Sequence, residues 1–207
     1  ANLGYPAAMG HMAQNYLDGK NGFEKDLAKG FEFATKAANE GDELGMLQLA
    51  YCYDEGWGVD KNYAAALSWY ERCKDKELSG ADNNIGVIYK NGGFGVVQDY
   101  VKAVEYYRKA ADAGDEYAMC SLGDMYFNGF GVAKSLVEAR ELYKQSADED
   151  FAEAQYKLGV MMIKGQGQDG TSFSEGFELI EKAAEQDFKN AETYMEKAQA
   201  FLSKLDV

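Results

Sequence analysis

The sequence predicts an all-α fold, an α-solenoid of about five helix-pair repeats of 36–37 residues plus a C-terminal capping helix. Three patterns keep step along the 207-residue chain: a glycine motif, a polar residue suited to begin a helix, and apolar residues at helical spacing. A lone helix pair cannot bury its apolar face, so the pairs are predicted to stack into one continuous core.

Glycines that close successive helical segments reveal the repeat most directly. Their spacings are 37, 36, 37 and 36 residues, and they are Gly19, Gly56, Gly92, Gly129 and Gly165. Because glycine adopts the left-handed conformation without a steric penalty, each is predicted to end the first helix of a pair. The resulting repeats are 5–40, 42–77, 79–114, 115–150 and 151–187.

A second series of residues marks where the second helix of each pair begins. Its members have a side-chain oxygen that can accept a hydrogen bond from the unpaired N–H groups of a helix start. They are Asp26, Asn62, Asp99, Ser135 and Ser172, and the apolar residues that follow them are Leu27, Tyr63, Tyr100, Leu136 and Phe173. The second helices are therefore predicted to begin at these apolar residues.

The two ends of the chain differ. A terminal helix is predicted at residues 190–204, and its charged residues suit a polar cap. Residues 1–4 are in phase with residues 38–41, within the closing turn of a repeat. We therefore expect residues 1–207 to form a single solenoid, to be part of a longer or processed chain, and to be capable of self-association through the N-terminal edge.

The charge of the chain limits its partners. With 35 acidic and 21 basic residues the formal charge is −14, which opposes binding to nucleic acid and to anionic membranes. The longest uncharged stretch, Ala1–Leu17, is too polar for membrane insertion. The chain contains one histidine, His11, so no multi-histidine metal site can form. The sequence predicts no catalytic residue, no metal and no cofactor.

Several residues resemble parts of reactive sites but fit structural roles better. Cys52, Cys73 and Cys120 have no histidine in phase with them and are predicted to fill space in the core. Gly165–Gly170 matches a dinucleotide-binding glycine pattern, but Gly165 and Gly167 occupy repeat turn positions, which favours a turn.

The compartment of the protein stays open at this point. Unpaired cysteines favour a reducing compartment, whereas a start at Ala1 leaves export and processing open.

Two segments carry a resemblance to a known family. They are Ala-x3-Leu-Gly-x2-Tyr-x2-Gly-x-Gly-Val at 118–132 and Lys-Ala-x2-Tyr-Tyr-x-Lys-Ala-Ala-x2-Gly at 102–114. Together they resemble Sel1-like repeats, relatives of tetratricopeptide repeats. The resemblance implies a right-handed superhelix of antiparallel helix pairs that acts as an adaptor or scaffold in bacterial signalling, envelope or host-interaction systems, or in eukaryotic protein quality control.

One branch of that family is rich in disulfides and is linked to penicillin binding and β-lactamase activity. Its cysteine pair corresponds here to Ala38 and Met46, or to Ala111 and Met119. No serine begins a Ser-x2-Lys motif and the chain has no Lys-Thr-Gly, so the residues that open a lactam ring in such enzymes are missing. Membership of this branch stays an alternative to the adaptor hypothesis.

Positions in each first helix are counted here from a recurring small residue, which is Ala8, Gly45, Ala81, Ala118 or Ala154. Position +3, held by His11, Gln48, Asn84, Ser121 and Lys157, is predicted to be solvated. Positions +2, +6 and +9 lie opposite the core face and are more apolar than a purely solvated face. Either they pack between successive first helices, or they line a concave groove for a peptide or a partner helix.

The groove hypothesis assigns partner-binding residues among these positions. They are Tyr51, Asp54, Asn83, Val87, Lys90, Asp124, Phe127 and Tyr156. A second candidate surface is a ridge of turn aromatics, Trp57, Phe94 and Phe130, which could instead pack on the next helix pair. The favoured function is a non-catalytic module that binds a protein or peptide, and the negative charge of the chain favours a basic partner. An acidic immunity or inhibitor protein that masks a basic partner is a further alternative.

Overall fold

The computed structural model describes residues 6–73, 80–167 and 173–205, with side chains described as far as Lys197. Within these ranges the regular structure consists of eleven α-helices joined by short turns. They are α1 (Pro6–Asp18), α2 (Leu27–Asn39), α3 (Glu43–Glu55), α4 (Tyr63–Cys73), α5 (Ala81–Asn91), α6 (Tyr100–Asp112), α7 (Glu116–Asn128), α8 (Leu136–Asp148), α9 (Ala152–Ile163), α10 (Phe173–Glu185) and α11 (Lys189–Leu205). The predicted all-α class is confirmed.

The second helices begin where the polar series predicts. The Asp26 carboxylate accepts a hydrogen bond from the Lys29 N–H at 3.0 Å, and Asn62 does the same for Ala65 at 3.0 Å. Asp99 accepts from the Lys102 N–H at 3.0 Å, and Ser135 accepts from that of Glu138 at 3.4 Å. Ser172, the fifth predicted cap, lies outside the described residues.

The first helices end where the glycine series predicts. Gly56 and Gly129 follow α3 and α7 directly in the left-handed conformation, with φ of 75° and 77°. Helix α9 ends two residues before Gly165, which also has a positive φ of 64°. Two first helices have an N-cap that the sequence pattern did not predict. The Asp42 carboxylate accepts a hydrogen bond from the Gly45 N–H at 2.7 Å, and the Asp115 carboxylate accepts one from the Ala118 N–H at 2.8 Å.

The helices form two compact units, which we name the N-terminal half (Ala1–Tyr106) and the C-terminal half (Tyr107–Val207). In the N-terminal half, α1 packs on α2, α2 on α3, α3 on α4 and α4 on α5. Its core is a mixture of small and large side chains; the largest that are fully buried are Leu17, Leu49, Tyr70, Ile85 and Ile88. The prediction of a single solenoid domain with a self-associating N-terminal edge stays a prediction.

The C-terminal half follows the same order, with α7 on α8, α8 on α9, α9 on α10 and α10 on α11. Helices α9 and α10 cross at two glycines: a Cβ atom added to Gly159 would lie 2.5 Å from the Gly176 carbonyl oxygen. The terminal helix α11 packs its buried Ala191 against Ile180 and Ala183 of α10. This contact closes the apolar edge of the last helix pair.

The glycine crossing yields a stability prediction. Gly159→Ala should lower the free energy of unfolding by about 2–3 kcal/mol, because the new methyl group overlaps backbone atoms that cannot move independently. Gly165→Ala is the matched control. Its Cβ would meet no atom within 4 Å, so only the positive φ opposes it, at a cost of about 1 kcal/mol.

Urea unfolding followed by circular dichroism measures both values. Equal losses in the two variants would show that the α9–α10 crossing relaxes freely and that close helix approach is not a constraint there.

Candidate functional site: the first-helix surfaces

A buried tyrosine of the second helix donates a hydrogen bond to an aspartate of the first helix in both halves. Tyr70 lies at 3.1 Å from Asp54 Oδ2, and Tyr143 lies at 2.6 Å from Asp124 Oδ1. Both tyrosines stand eight residues after their N-cap, at equivalent repeat positions. A buried phenol needs an acceptor, so this pair fixes the register between the two helices of a repeat.

Successive first helices are joined side to side by a second repeated contact. Asn84 Nδ2 of α5 donates to the Tyr51 hydroxyl of α3 at 3.1 Å. In the C-terminal half, Lys157 Nζ of α9 donates to Asp124 Oδ2 of α7 at 2.8 Å. Each contact connects position +6 of one first helix with position +3 of the next. At these two places the face opposite the core therefore packs between repeats.

This arrangement corrects one expectation from the sequence. Position +3 was predicted to be solvated, and His11 is indeed exposed. The prediction is wrong at Asn84 and Lys157, which bridge neighbouring helices, and at Gln48, which is buried. A polar residue recurs at +3 in all five repeats, and that recurrence was the available signal for a shared structural contact.

In the N-terminal half the aspartate of the pair is almost inaccessible. Asp54 is only 8% exposed, and its burial raises the pKa of the carboxyl group, an effect that the hydrogen bond from Tyr70 opposes. Burial also raises the pKa of Tyr70, so its hydroxyl stays protonated and remains a donor. The Tyr51 ring meets the Tyr70 ring edge to face, with centroids 5.7 Å apart. Asp54 and Tyr70 therefore support the surface from beneath.

In the C-terminal half the aspartate of the pair, Asp124, belongs to a charged network. Lys157 Nζ lies 2.8 Å from Asp124, 2.7 Å from Glu153 Oε1 and 3.5 Å from Cys120 Sγ. Burial alone would lower the pKa of Lys157, but Cys120 and the two carboxylates raise it above its ordinary value. Burial raises the pKa of Cys120 to about 12, so its thiol is protonated at neutral pH and unsuited to nucleophilic attack.

We name the half-buried residues of this face the first-helix surface of each half. In the N-terminal half it consists of Tyr51, Asn83, Val87 and Lys90, which α3 and α5 bring together. Asn83 Oδ1 has no hydrogen-bond partner among the described residues, although it is buried. In the C-terminal half the surface consists of Asp124, Phe127, Tyr156 and Lys157 of α7 and α9. The face thus combines polar and apolar groups.

Not every predicted groove residue is free for a partner. The Tyr156 ring lies 5.6 Å from that of Phe188 and 6.3 Å from that of Tyr194 on the terminal helix α11. Phe127 lies beneath Lys134, whose Nζ is 5.8 Å from the ring centroid. Asp54 is buried, and Tyr156 and Phe127 already contact other side chains, whereas Val87 and Lys90 are half-buried on α5.

The turn aromatics contact the preceding helix pair, and the predicted direction of their packing was wrong. The Phe94 ring meets the ring of Tyr63, at the start of the preceding second helix, with centroids 5.1 Å apart. Trp57 lies under Lys25 Nζ, 5.8 Å away, also in the preceding repeat. Phe94 is nevertheless 58% exposed and Phe130 44% exposed. The ridge is therefore partly packed and partly open.

The remaining candidates occupy structural places. Cys52, Cys73 and Cys120 are free and buried, as expected of space-filling residues. Gly165 and Gly167 lie in a turn that follows the helix α9 rather than a strand, and Gly170 lies outside the described residues. In the part of the chain that the structure describes, no helix is long and apolar enough to cross a membrane, and no three potential metal ligands cluster.

Comparison with known proteins identifies the repeat. The model of the Sel1 repeat matches residues 6–42, 44–73, 79–115, 116–151 and 152–188, which together span most of the chain. The chain belongs to the Sel1 repeat family. The matched segments begin within a few residues of the repeats derived from the glycine spacing.

This Sel1 repeat protein is similar to regulatory proteins in part of their length, and its fold resembles solved repeat solenoids. It is 31% identical over 124 residues to chitin synthase regulatory factor 3 of Schizosaccharomyces pombe, covering 58% of this chain and 13% of that protein. Its fold resembles that of the protective antigen c5321 of uropathogenic Escherichia coli, which displays an SLR fold. The two chains superpose with a TM-score of 0.77 at 30% identity, over 92% of this chain and 40% of the antigen. The fold also resembles that of a Sel1 repeat protein of Oxalobacter formigenes, with a TM-score of 0.79 at 27% identity, over 91% of this chain and 74% of the other.

These neighbours confirm the predicted class of an all-α repeat solenoid. The chain spans about one eighth of the length of the fission-yeast regulatory factor.

The two tyrosine–aspartate pairs predict opposite effects of removing the carboxylate charge. Because burial raises the pKa of Asp54, the folded state binds more protons than the unfolded state between the ordinary pKa of about 3.9 and the raised one. The free energy of unfolding therefore falls as the pH rises through this window. Asp54→Asn keeps an acceptor for Tyr70 without the charge and should stabilise the protein at pH 7, by up to about 1 kcal/mol, but not at about pH 3.5.

Asp124→Asn is the matched variant, and we expect it to destabilise the protein at pH 7 by about 1–3 kcal/mol, because Lys157 loses one of its two carboxylate partners. Urea unfolding at both pH values measures the two effects. A destabilising Asp54→Asn at pH 7 would show that the ionised carboxylate is favourable where it is buried.

Proposed function

We propose that this Sel1 repeat protein is a non-catalytic interaction module, an adaptor or scaffold, that binds a protein or peptide on its first-helix surfaces. The observation that carries the proposal is the side-to-side bridging of first helices by Tyr51–Asn84 and Asp124–Lys157. Bridged helices present one preformed surface, so little conformational freedom is lost when a partner binds. The fission-yeast relative, a regulatory factor, agrees with a role in controlling other proteins.

The N-terminal half offers both kinds of contact that a peptide needs. Val87 supplies an apolar contact and Lys90 a charge, on the same helix. In the C-terminal half, Phe127 is the apolar anchor beside the Asp124–Lys157 bridge. Aromatic anchors of this kind contribute most of the energy of many interfaces.

The net charge favours a basic partner. A formal charge of −14 attracts positively charged proteins over several ångströms and speeds their encounter, with an effect that salt weakens. Masking of a basic protein by an acidic inhibitor fits the same charge.

Self-association through the N-terminal edge is a separate proposal, which a molecular mass that rises with concentration would support.

The enzymatic alternative has no observation in its favour. Cys120, which lies 3.5 Å from Lys157 Nζ, is protonated at neutral pH because burial raises its pKa to about 12. Its neighbour Lys157 is held by two carboxylates and has a raised pKa, so it is a poor general base. We therefore propose binding without chemistry.

Site-specific photo-crosslinking tests the proposal. A benzophenone amino acid is placed at Lys90 or Phe127 on the first-helix surfaces, and at the exposed Val137 of α8 as the control. In lysate of the source cell we expect the same protein to crosslink from positions 90 and 127 and not from position 137. Its yield should fall several-fold between low and physiological salt if the partner is basic.

Circular dichroism checks that each labelled protein keeps its helical content. Crosslinking from position 137 alone, or equally from all three positions, would reject the first-helix surfaces as the binding face.

A further inference from the structure

The turn between α5 and α6 differs from the equivalent turns of the neighbouring repeats. The N-cap Asp99 stands seven positions after Gly92, whereas Asn62 stands six positions after Gly56 and Ser135 six positions after Gly129. Gly93 and Val96 form an isolated β-bridge, with reciprocal N–H···O distances of 2.8 and 3.0 Å. This closure is a tight hairpin-like turn with Phe94 at its tip.

Phe94 is held in an unfavourable conformation and is also exposed. Its φ of 48° lies in the left-handed region, where the Cβ atom of a bulky residue crowds the backbone. Trp57 and Phe130, the corresponding aromatics, are not among the residues with positive φ. A strained residue persists where the surrounding structure enforces it, and such residues concentrate at functional sites. Here the strain presents an aromatic ring that is 58% exposed.

The residue at the other end of this turn is also unusual. Val97 is 85% exposed, and the equivalent residues, two before the N-cap, are Asp60 and Ala133. Phe94 and Val97 thus place two large apolar side chains at the surface within four residues. Exposed apolar groups that cluster next to a concave surface are typical of docking sites.

A concave surface lies next to these two residues. A cleft of about 490 Å³ runs between α4, the α5–α6 turn and the start of α6. Its apolar lining comes from Ala64 and Leu67 of α4 and from Val96 and Val97 of the turn. The volume is enough for one large apolar side chain and part of its neighbour.

The charged groups of the cleft favour a cation. Glu71 stands on the α4 wall, where one of its oxygens, Oε1, accepts a hydrogen bond from Tyr106 at 3.4 Å. Asp99 lines the opposite wall while capping α6. Among the described residues of the lining, the one lysine is Lys102, which lies 4.9 Å over the Tyr89 ring. A second lysine, Lys61, lies 5.6 Å over the ring of Phe94 at the rim. The described lining itself therefore carries two carboxylates and one lysine, in a chain with a formal charge of −14.

We propose that this cleft, which we name the α4–α6 cleft, docks a partner segment that presents a large apolar side chain beside a lysine or arginine. The apolar side chain fills the space between Leu67 and Val96, with Phe94 and Val97 at the rim. The basic group reaches the exposed carboxylate of Glu71, which attracts it electrostatically. This docking site is separate from the first-helix surfaces and does not depend on the function proposed for them.

Methyl and amide NMR titration with defined probes tests the proposal. The probes are the capped dipeptides acetyl-Phe-Lys-amide, acetyl-Phe-Glu-amide and acetyl-Ala-Lys-amide, each used up to about 10 mM against the full chain. We expect acetyl-Phe-Lys-amide to shift the signals of Ala64, Leu67 and Val96, with an affinity at least about tenfold higher than either control probe.

Variants locate the effect. Glu71→Gln should weaken binding of acetyl-Phe-Lys-amide about fivefold or more, and Val97→Ala about threefold or more, whereas the matched surface variants Glu178→Gln and Val137→Ala should leave it unchanged. Phe94→Asn removes the aromatic ring but suits a positive φ, so it should keep the fold while reducing binding.

Three results would overturn the proposal: no shifts in the cleft, equal affinity for the acidic probe, or shifts confined to Val87 and the rest of the first-helix surface. The last result would leave the proposed function standing, because the crosslinking experiment tests that surface separately.

Discussion

The structure depends most on the close contact of helix backbones, which small residues at fixed repeat positions permit. A Cβ atom on Gly45 would lie 2.8 Å from the Ala38 backbone nitrogen, and one on Gly30 would lie 2.4 Å from the Leu17 side chain. In the C-terminal half the Gly159–Gly176 crossing has the same effect. At these distances dispersion contacts between the helices are dense. Each pair then presents a narrow apolar edge that only another pair, or the terminal helix α11, can cover.

Close packing also explains the polar contacts on the face away from the core. When helices lie this near, the side chains between them lose water and must find partners within the protein. Tyr70 and Tyr143 find aspartates on the adjacent first helix, and Asn84 and Lys157 find partners on the preceding one. The partner chemistry changes from repeat to repeat, from a hydroxyl–amide pair to an ion pair, while the positions stay the same. The spacing of the helices fixes which positions meet, and different pairs of side chains form the contact there.

Features governed by local rules were predictable from the sequence, and features governed by contacts between repeats were not. The start of α2 at Leu27 and the end of α3 before Gly56 follow from capping, which needs only a few neighbouring residues. The role of Lys157 depends on which residue faces it from another helix pair, and the packing of Tyr156 depends on α11. The unusual backbone of Phe94 occurs in a turn with one additional residue, where Gly93 and Val96 form a bridge that the sequence pattern did not predict.

The same division between shared and variable positions indicates where partner recognition resides. Positions that the repeats share, such as the polar caps of the second helices and the glycines at the ends of the first helices, are committed to the fold and have little freedom to vary to suit a partner. Asp54 lies on the face opposite the core, but it is buried and accepts a hydrogen bond from Tyr70, so its carboxylate does not contact a partner. What remains is the set of positions at which one repeat departs from the others without being needed for packing, as Val97 does where its equivalents are Asp60 and Ala133. In a repeat protein these departures are the places where sequence can change for binding at little cost in stability, since each repeat contacts chiefly its immediate neighbours.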